Sequence, residues 1–182
     1  MFVSRSLRET NIAEYLLYMW QIEDIIRAAK FDVEKLDALV VRNSGREETE
    51  QKEWLQWYND LVAMMLSEDK KERGHLQINE NVLLFLSELH NRLIKSAKSE
   101  DYRDLYYKVL PFIVEFRSKN KRTETEELRD CFDMLYGVLL LRLQKVAVSD
   151  STNQAVAAIS KLLAMLSNYY KLDKAGELDL ED

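Results

Sequence analysis

The chain has 182 residues, 47% of them hydrophobic and 32% charged, with a formal net charge of −6. A chain of this size buries roughly 70% of the surface its unfolded form exposes and folds without staples. Four glycines and one proline are too few for turn-rich sheet folds, and the acidic balance argues against general nucleic-acid binding or an anionic membrane surface.

The single cysteine, Cys131, excludes an internal disulfide and suits a reducing compartment. Two histidines, His75 and His90, leave little material for a metal centre. No cofactor, metal, nucleic-acid or membrane partner is therefore expected. Arg5 and Arg8 precede an apolar run with the outline of a signal peptide. Glu14 interrupts that run and no small-residue cleavage site follows, so the segment reads as mature structure and the protein as cytoplasmic.

Apolar residues recur at helical spacing along most of the chain, and seven helices are predicted with no strand. The first covers about 11–29, with Asn11 and Glu14 placed as a capping box. A short second helix, 32–42, starts at the cap Asp32 and stops at "NSG". The third covers 47–69 and the fourth 76–96, with Ile78, Val82, Phe85, Leu89 and Leu93 on one stripe.

Ser99 is the expected cap of the fifth helix, 99–117, whose buried face takes Tyr102, Leu105, Tyr106, Val109, Phe112, Ile113 and Phe116 and which turns Pro111 toward solvent. Thr123 and Glu126 form a second capping box for a sixth helix reaching about Val148. "SDST" opens the seventh, and residues 176–182 form an acidic, frayed tail. Short loops between amphipathic helices imply an all-α, antiparallel bundle of six to seven helices in one domain, 1–175. "NSG" marks the place where an N-terminal hairpin would separate from a later bundle.

Several residues stand out against this pattern. On a helical wheel Glu14 and Gln21 lie beside the apolar stripe that holds Tyr18, while Glu23, Asp24 and Arg27 fall on another face. Capping of its own helix terminus is the leading role for Glu14; in the alternative, Glu14, Tyr18 and Gln21 are the polar lining of a pocket or buried network. Arg142 projects from the sixth helix's apolar side and needs either a carboxylate, Glu14 being the leading choice, or an outward reach to water.

The first and third helices are apolar over wide arcs. Leu16 and Trp20, with Trp57 and Met64, extend past the main stripes, as in a surrounded central helix or at a subunit interface. His90 lacks the Glu-x-x-His spacing of di-iron bundles, and Cys131 reads as a small buried hydrophobe.

The segment "IAEYLLYMWQIEDIIRA" (Ile12–Ala28), with the chain's length and helical plan, resembles an uncharacterised family of Bacteroidetes proteins of about 180 residues, a domain of unknown function. The resemblance implies an all-helical protein of the bacterial cytoplasm and carries no activity or site residue.

The leading expectation is a non-enzymatic interaction or scaffold module that self-associates as a homodimer. The alternative is a binder of, or an enzyme acting on, a small, partly apolar ligand held between helices. A helical transcription regulator using "RSKNKRT" is the weakest reading, since no basic recognition helix is evident.

Overall fold

A computed structural model describes residues 2–121 and 126–180. Among the described residues there are eight α-helices and no strand: α1 (Phe2–Thr10), α2 (Ile12–Ala28), α3 (Val33–Leu36), α4 (Glu48–Ser67), α5 (Gln77–Lys95), α6 (Glu100–Asn120), α7 (Glu127–Leu143) and α8 (Asp150–Ala175). The all-α class is as the periodicity implied. The count exceeds six to seven because Phe2–Thr10, left without an element above, is helical. The chain forms two compact units. Unit 1 comprises Met1–Thr10 and Glu14–Val82; unit 2 comprises Asn11–Ala13 and Leu83–Asp182.

In the first unit, α2 hides Tyr15, Leu16, Met19, Trp20, Ile22, Glu23 and Ile26, all at 5% exposure or less. That is the wide arc of a surrounded helix, and each large side chain so buried contributes on the order of 1.5–3 kcal/mol. Asp32 caps α3 as its position implied. Its Oδ1 accepts from the backbone N–H groups of Glu34 and Lys35 at 3.1 and 3.2 Å, and the Lys35 bond holds its carboxyl below the usual range.

The short helix continues as a π turn (Asp37–Val41) and a 3-10 turn (Arg42–Ser44). It ends at Gly45, whose φ of +68° is the left-handed conformation that makes "NSG" a stop. α3 and its π turn pack on α4, so the unit boundary does not fall at "NSG" but within α5, after Val82. Four glycines do not serve every helix end. Lys30, Phe31, Asp69, Lys121 and Lys145 take positive φ without the freedom of glycine.

In the second unit, α6, α7 and α8 each pack on the other two. α6 and α8 run antiparallel: Tyr102 meets the Tyr169 ring at one end, and Phe112 lines a small cleft with Ala155 at the other. The core takes Tyr102, Val109 and Ile113 from α6, Cys131, Phe132 and Val138 from α7, and Ile159, Leu163 and Leu166 from α8. Pro111 lies on the exposed side of α6, which runs unbroken through it. Ser149 caps α8 by accepting from Thr152 N–H at 3.2 Å, and Gly176 closes it at φ +72°. Leu180 O accepts from Ser96 Oγ at 3.2 Å, and Lys98 pairs with Asp179 at 2.9 Å.

Several local expectations are corrected. Ser99 stands at the N-cap position of α6, but its hydroxyl donates to Leu93 O instead of capping. Ile78 is 38% exposed, and the buried side of α5 runs through Asn79, Leu83, Leu86, Leu89 and His90. α7 stops at Leu143, so Val146 lies beyond it, 47% exposed. The expected cap Thr123 lies outside the described residues. No helix among the described residues is long and apolar enough to cross a membrane.

Candidate functional site

The buried carboxylate of α2 is Glu23, at 0% exposure, and not Glu14, which is exposed. Glu23 Oε1 accepts from Leu76 N–H at 3.0 Å and from Asn79 Nδ2 at 2.7 Å, while His75 Nδ1 donates to Oε2 at 2.6 Å. The His75 ring lies flat on Trp20, with centroids 4.0 Å apart and planes at 10°. One turn further along α2, Arg27 donates to the carbonyls of Lys70 and Gly74 and pairs with Asp24. Glu23 and Arg27 thus anchor the α4–α5 connector, whose backbone groups would otherwise lack partners.

This network also positions a cleft. Asn79 Oδ1 accepts from Tyr15 Oη at 3.4 Å, and Tyr15 lines an opening of about 330 Å³ in the first unit. That volume is at the lower end of small-molecule sites, roughly 300–1,000 Å³.

Three helices contribute residues at helical spacing. α1 gives Arg5 and Arg8, one turn apart; α2 gives Tyr15 and Met19; α4 gives Trp57, Asp60, Leu61 and Met64. Ile78, from the first turn of α5, completes the apolar wall. The Arg8 guanidinium sits 5.7 Å from the Tyr15 ring centroid, and Asp60 is held by Gln56 at 2.9 Å. Two cations and one carboxylate therefore edge a floor of aromatic, thioether and aliphatic groups. Such a floor takes an apolar body, and the cationic excess orients a negatively charged end.

Of the residues singled out by sequence, Trp57 and Met64 meet in this cleft, half-buried. Leu16 and Trp20 are corrected: at 0% and 1% exposure they offer no surface to a partner. Glu14, Tyr18 and Gln21 do not line the cleft. Tyr18 is half-buried, and burial raises its hydroxyl above the usual value against the opposing charge of Arg46. Arg142 is exposed and donates to Asn153 Oδ1 at 2.9 Å, so it is not a buried charge but reaches outward at the end of α7.

Arg5, Arg8, Tyr15, Met19 and Asp60 were missed as site residues. The spacing of Arg5 and Arg8 was visible, but only α1's being helical turns that spacing into one face.

The second unit holds a polar cleft of about 240 Å³. Ser87, His90 and Asn91 of α5 share one face there, with Glu126 and Glu127 at the start of α7. His90 is buried, with its Nδ1 2.6 Å from Tyr102 Oη. Burial lowers its pKa to about 4, although the charge of Glu127 works the other way. Arg117 Nε donates to the fully buried Asp130 at 2.5 Å, and Tyr106 Oη to Glu127 at 2.5 Å. Cys131, behind this cluster, has its thiol pushed up to about 12 by burial, reinforced by the negative charges of Asp130 and Glu127. No group of three or more His, Cys, Asp or Glu among the described residues could hold a metal ion.

No curated protein and no solved structure matches the chain. Residues 1–177 match a family described as Domain of unknown function (DUF4924), and with nearly the whole chain covered, the protein belongs to that family.

Proposed function

We propose that the protein is a non-catalytic binding module whose first unit holds a small amphipathic anion. The observation that carries this reading is the pairing, in one cleft, of Tyr15, Met19, Trp57, Leu61, Met64 and Ile78 with the exposed cations Arg5 and Arg8. An apolar chain laid against Trp57 and Met64 loses contact with water, and a carboxylate at the mouth meets two guanidinium groups whose fork geometry suits it.

Octanoate is the probe, with octanol and octylammonium as controls, read by indole fluorescence in the intact protein and in Trp57→Phe. Octanoate binds saturably and more tightly than either control, and Arg5→Ala/Arg8→Ala removes its advantage over octanol. Equal affinity for all three, or no binding, overturns the proposal.

Self-association is the second reading. Trp57 and Met64 are only half-buried, and Ile78 beside them is 38% exposed, as befits a hydrophobic contact between two copies. Light scattering tests it: a monomer at every concentration, or a dimer that Trp57→Glu leaves intact, removes this cleft from any interface. A bacterial cytoplasmic setting belongs to the same proposal. It is supported by the family resemblance and the lone, buried Cys131, and is checked by fractionating source cells.

A further inference from the structure

The cleft of the first unit sorts its lining by depth. Tyr15, Met19 and Leu61 are buried, at 6% exposure or less, whereas the three charged residues that share the cleft, Arg5, Arg8 and Asp60, are all exposed. The charges therefore stand at the mouth, over an apolar floor.

Their signs ask for more than an anion. Arg5 and Arg8 sit one turn apart on α1, and Arg8 lies over the Tyr15 ring at 5.7 Å. Asp60 comes from α4, where it accepts from a neutral donor, Gln56 Nε2, at 2.9 Å. Among the described residues neither guanidinium is paired with a carboxylate, and Asp60 is paired with no cation. A bare carboxylate at this mouth is drawn by two charges and opposed by the third. An ammonium group beside that carboxylate turns the opposition into attraction, since Asp60 then has a cation to accept from.

The second charge must sit at the same end of the ligand as the first. At the far end of an apolar chain it would be pressed into the floor, where an unpaired charge is costly. Both charges on one carbon and an apolar chain beyond them is the pattern of an α-amino acid.

We propose that this cleft takes α-amino acids with a long apolar side chain, the carboxylate shared by Arg5 and Arg8, the ammonium on Asp60, and the side chain laid along Tyr15, Trp57 and Met64. This assignment rests on the anion-binding reading above and narrows its ligand class to a zwitterion charged at one end.

Three ligands of equal chain length test it on the intact protein by titration calorimetry at low salt, where exposed ion pairs are least screened. 2-Aminooctanoate binds about threefold more tightly than octanoate, the scale of an exposed ion pair. 8-Aminooctanoate, charged at both ends, binds roughly tenfold more weakly than octanoate. Asp60→Asn, at an exposed position and still offering Gln56 an acceptor, cancels the gain from the 2-amino group and tightens octanoate. Octanoate binding with no gain from the 2-amino group, a gain that survives Asp60→Asn, or equal binding of the 2- and 8-amino acids overturns the assignment and leaves the anion site standing. No binding of any of the three overturns both.

Discussion

Trp20 and His75, 55 positions apart in sequence, lie stacked with ring centroids 4.0 Å apart and planes at 10°. The stack is held at the edge of the imidazole by Glu23, which takes His75 Nδ1 at 2.6 Å while also accepting from Leu76 N–H and Asn79 Nδ2. One carboxylate thus fixes an aromatic pair, a helix start and a loop end together. This explains why a charged group is tolerated at 0% exposure.

Glu23→Ala removes the acceptor for three donors at once. A loss of about 3–5 kcal/mol in unfolding free energy is expected, since the Leu76 and Asn79 donors stay buried and unsatisfied. Glu23→Gln, which keeps the shape and one acceptor, costs less. Urea denaturation followed by circular dichroism measures both, and a loss under 1 kcal/mol for the alanine variant contradicts the anchor role assigned here.

The two tryptophans of the wide apolar arcs separate on the same assay. Trp20→Ala empties a fully buried site and costs about 3–5 kcal/mol. Trp57→Ala, at a half-buried position on the cleft, costs about 1 kcal/mol and abolishes saturable octanoate binding. Equal costs would mean that Trp57 is a core residue and not part of a binding surface.

The pH dependence follows from His90. Burial holds its pKa at about 4 in the folded state, below the ordinary 6.5. Between those values the unfolded chain binds a proton that the folded chain refuses. Stability from this group is therefore full above pH 6.5 and declines as pH falls toward 4, by about 3 kcal/mol. Tyr102 and Tyr106, both kept protonated by burial, add no charge in this window, and Glu127 is the charge that opposes the shift. His90→Gln flattens the decline, as chemical denaturation at stepped pH shows; an equally steep decline in the variant places its origin elsewhere.

Cys131 stays a thiol at neutral pH, with its ionisation pushed up to about 12 inside the core. An aromatic disulfide reagent at pH 8 labels the native protein only at the rate of unfolding, and labels it at once in denaturant. Rapid labelling of the folded state contradicts the burial.

What the sequence determined by itself is the helical plan. Asp32 before α3, Ser149 before α8 and Gly45 at the end of "NSG" act within a turn of themselves, and the apolar periodicity of α6 and α8 spans only one helix. Which face of α2 counts as inside was not legible, because a wheel ranks residues by their neighbours on one helix alone. It set Glu23 apart with Asp24 and Arg27, yet His75, Leu76 and Asn79 arrive from more than 50 positions away and make that carboxylate a buried acceptor.

Arg142 shows the converse. Its apolar neighbours suggested burial, but α7 ends at Leu143, and Asn153 at the start of α8 meets the guanidinium in the open. Tertiary structure alone brought Arg5 and Arg8 to Trp57 and Met64 and left His90 Nε2 without a hydrogen-bond partner among the described residues. Clefts and unanswered donors are properties of several helices at once, and no local pattern encodes them.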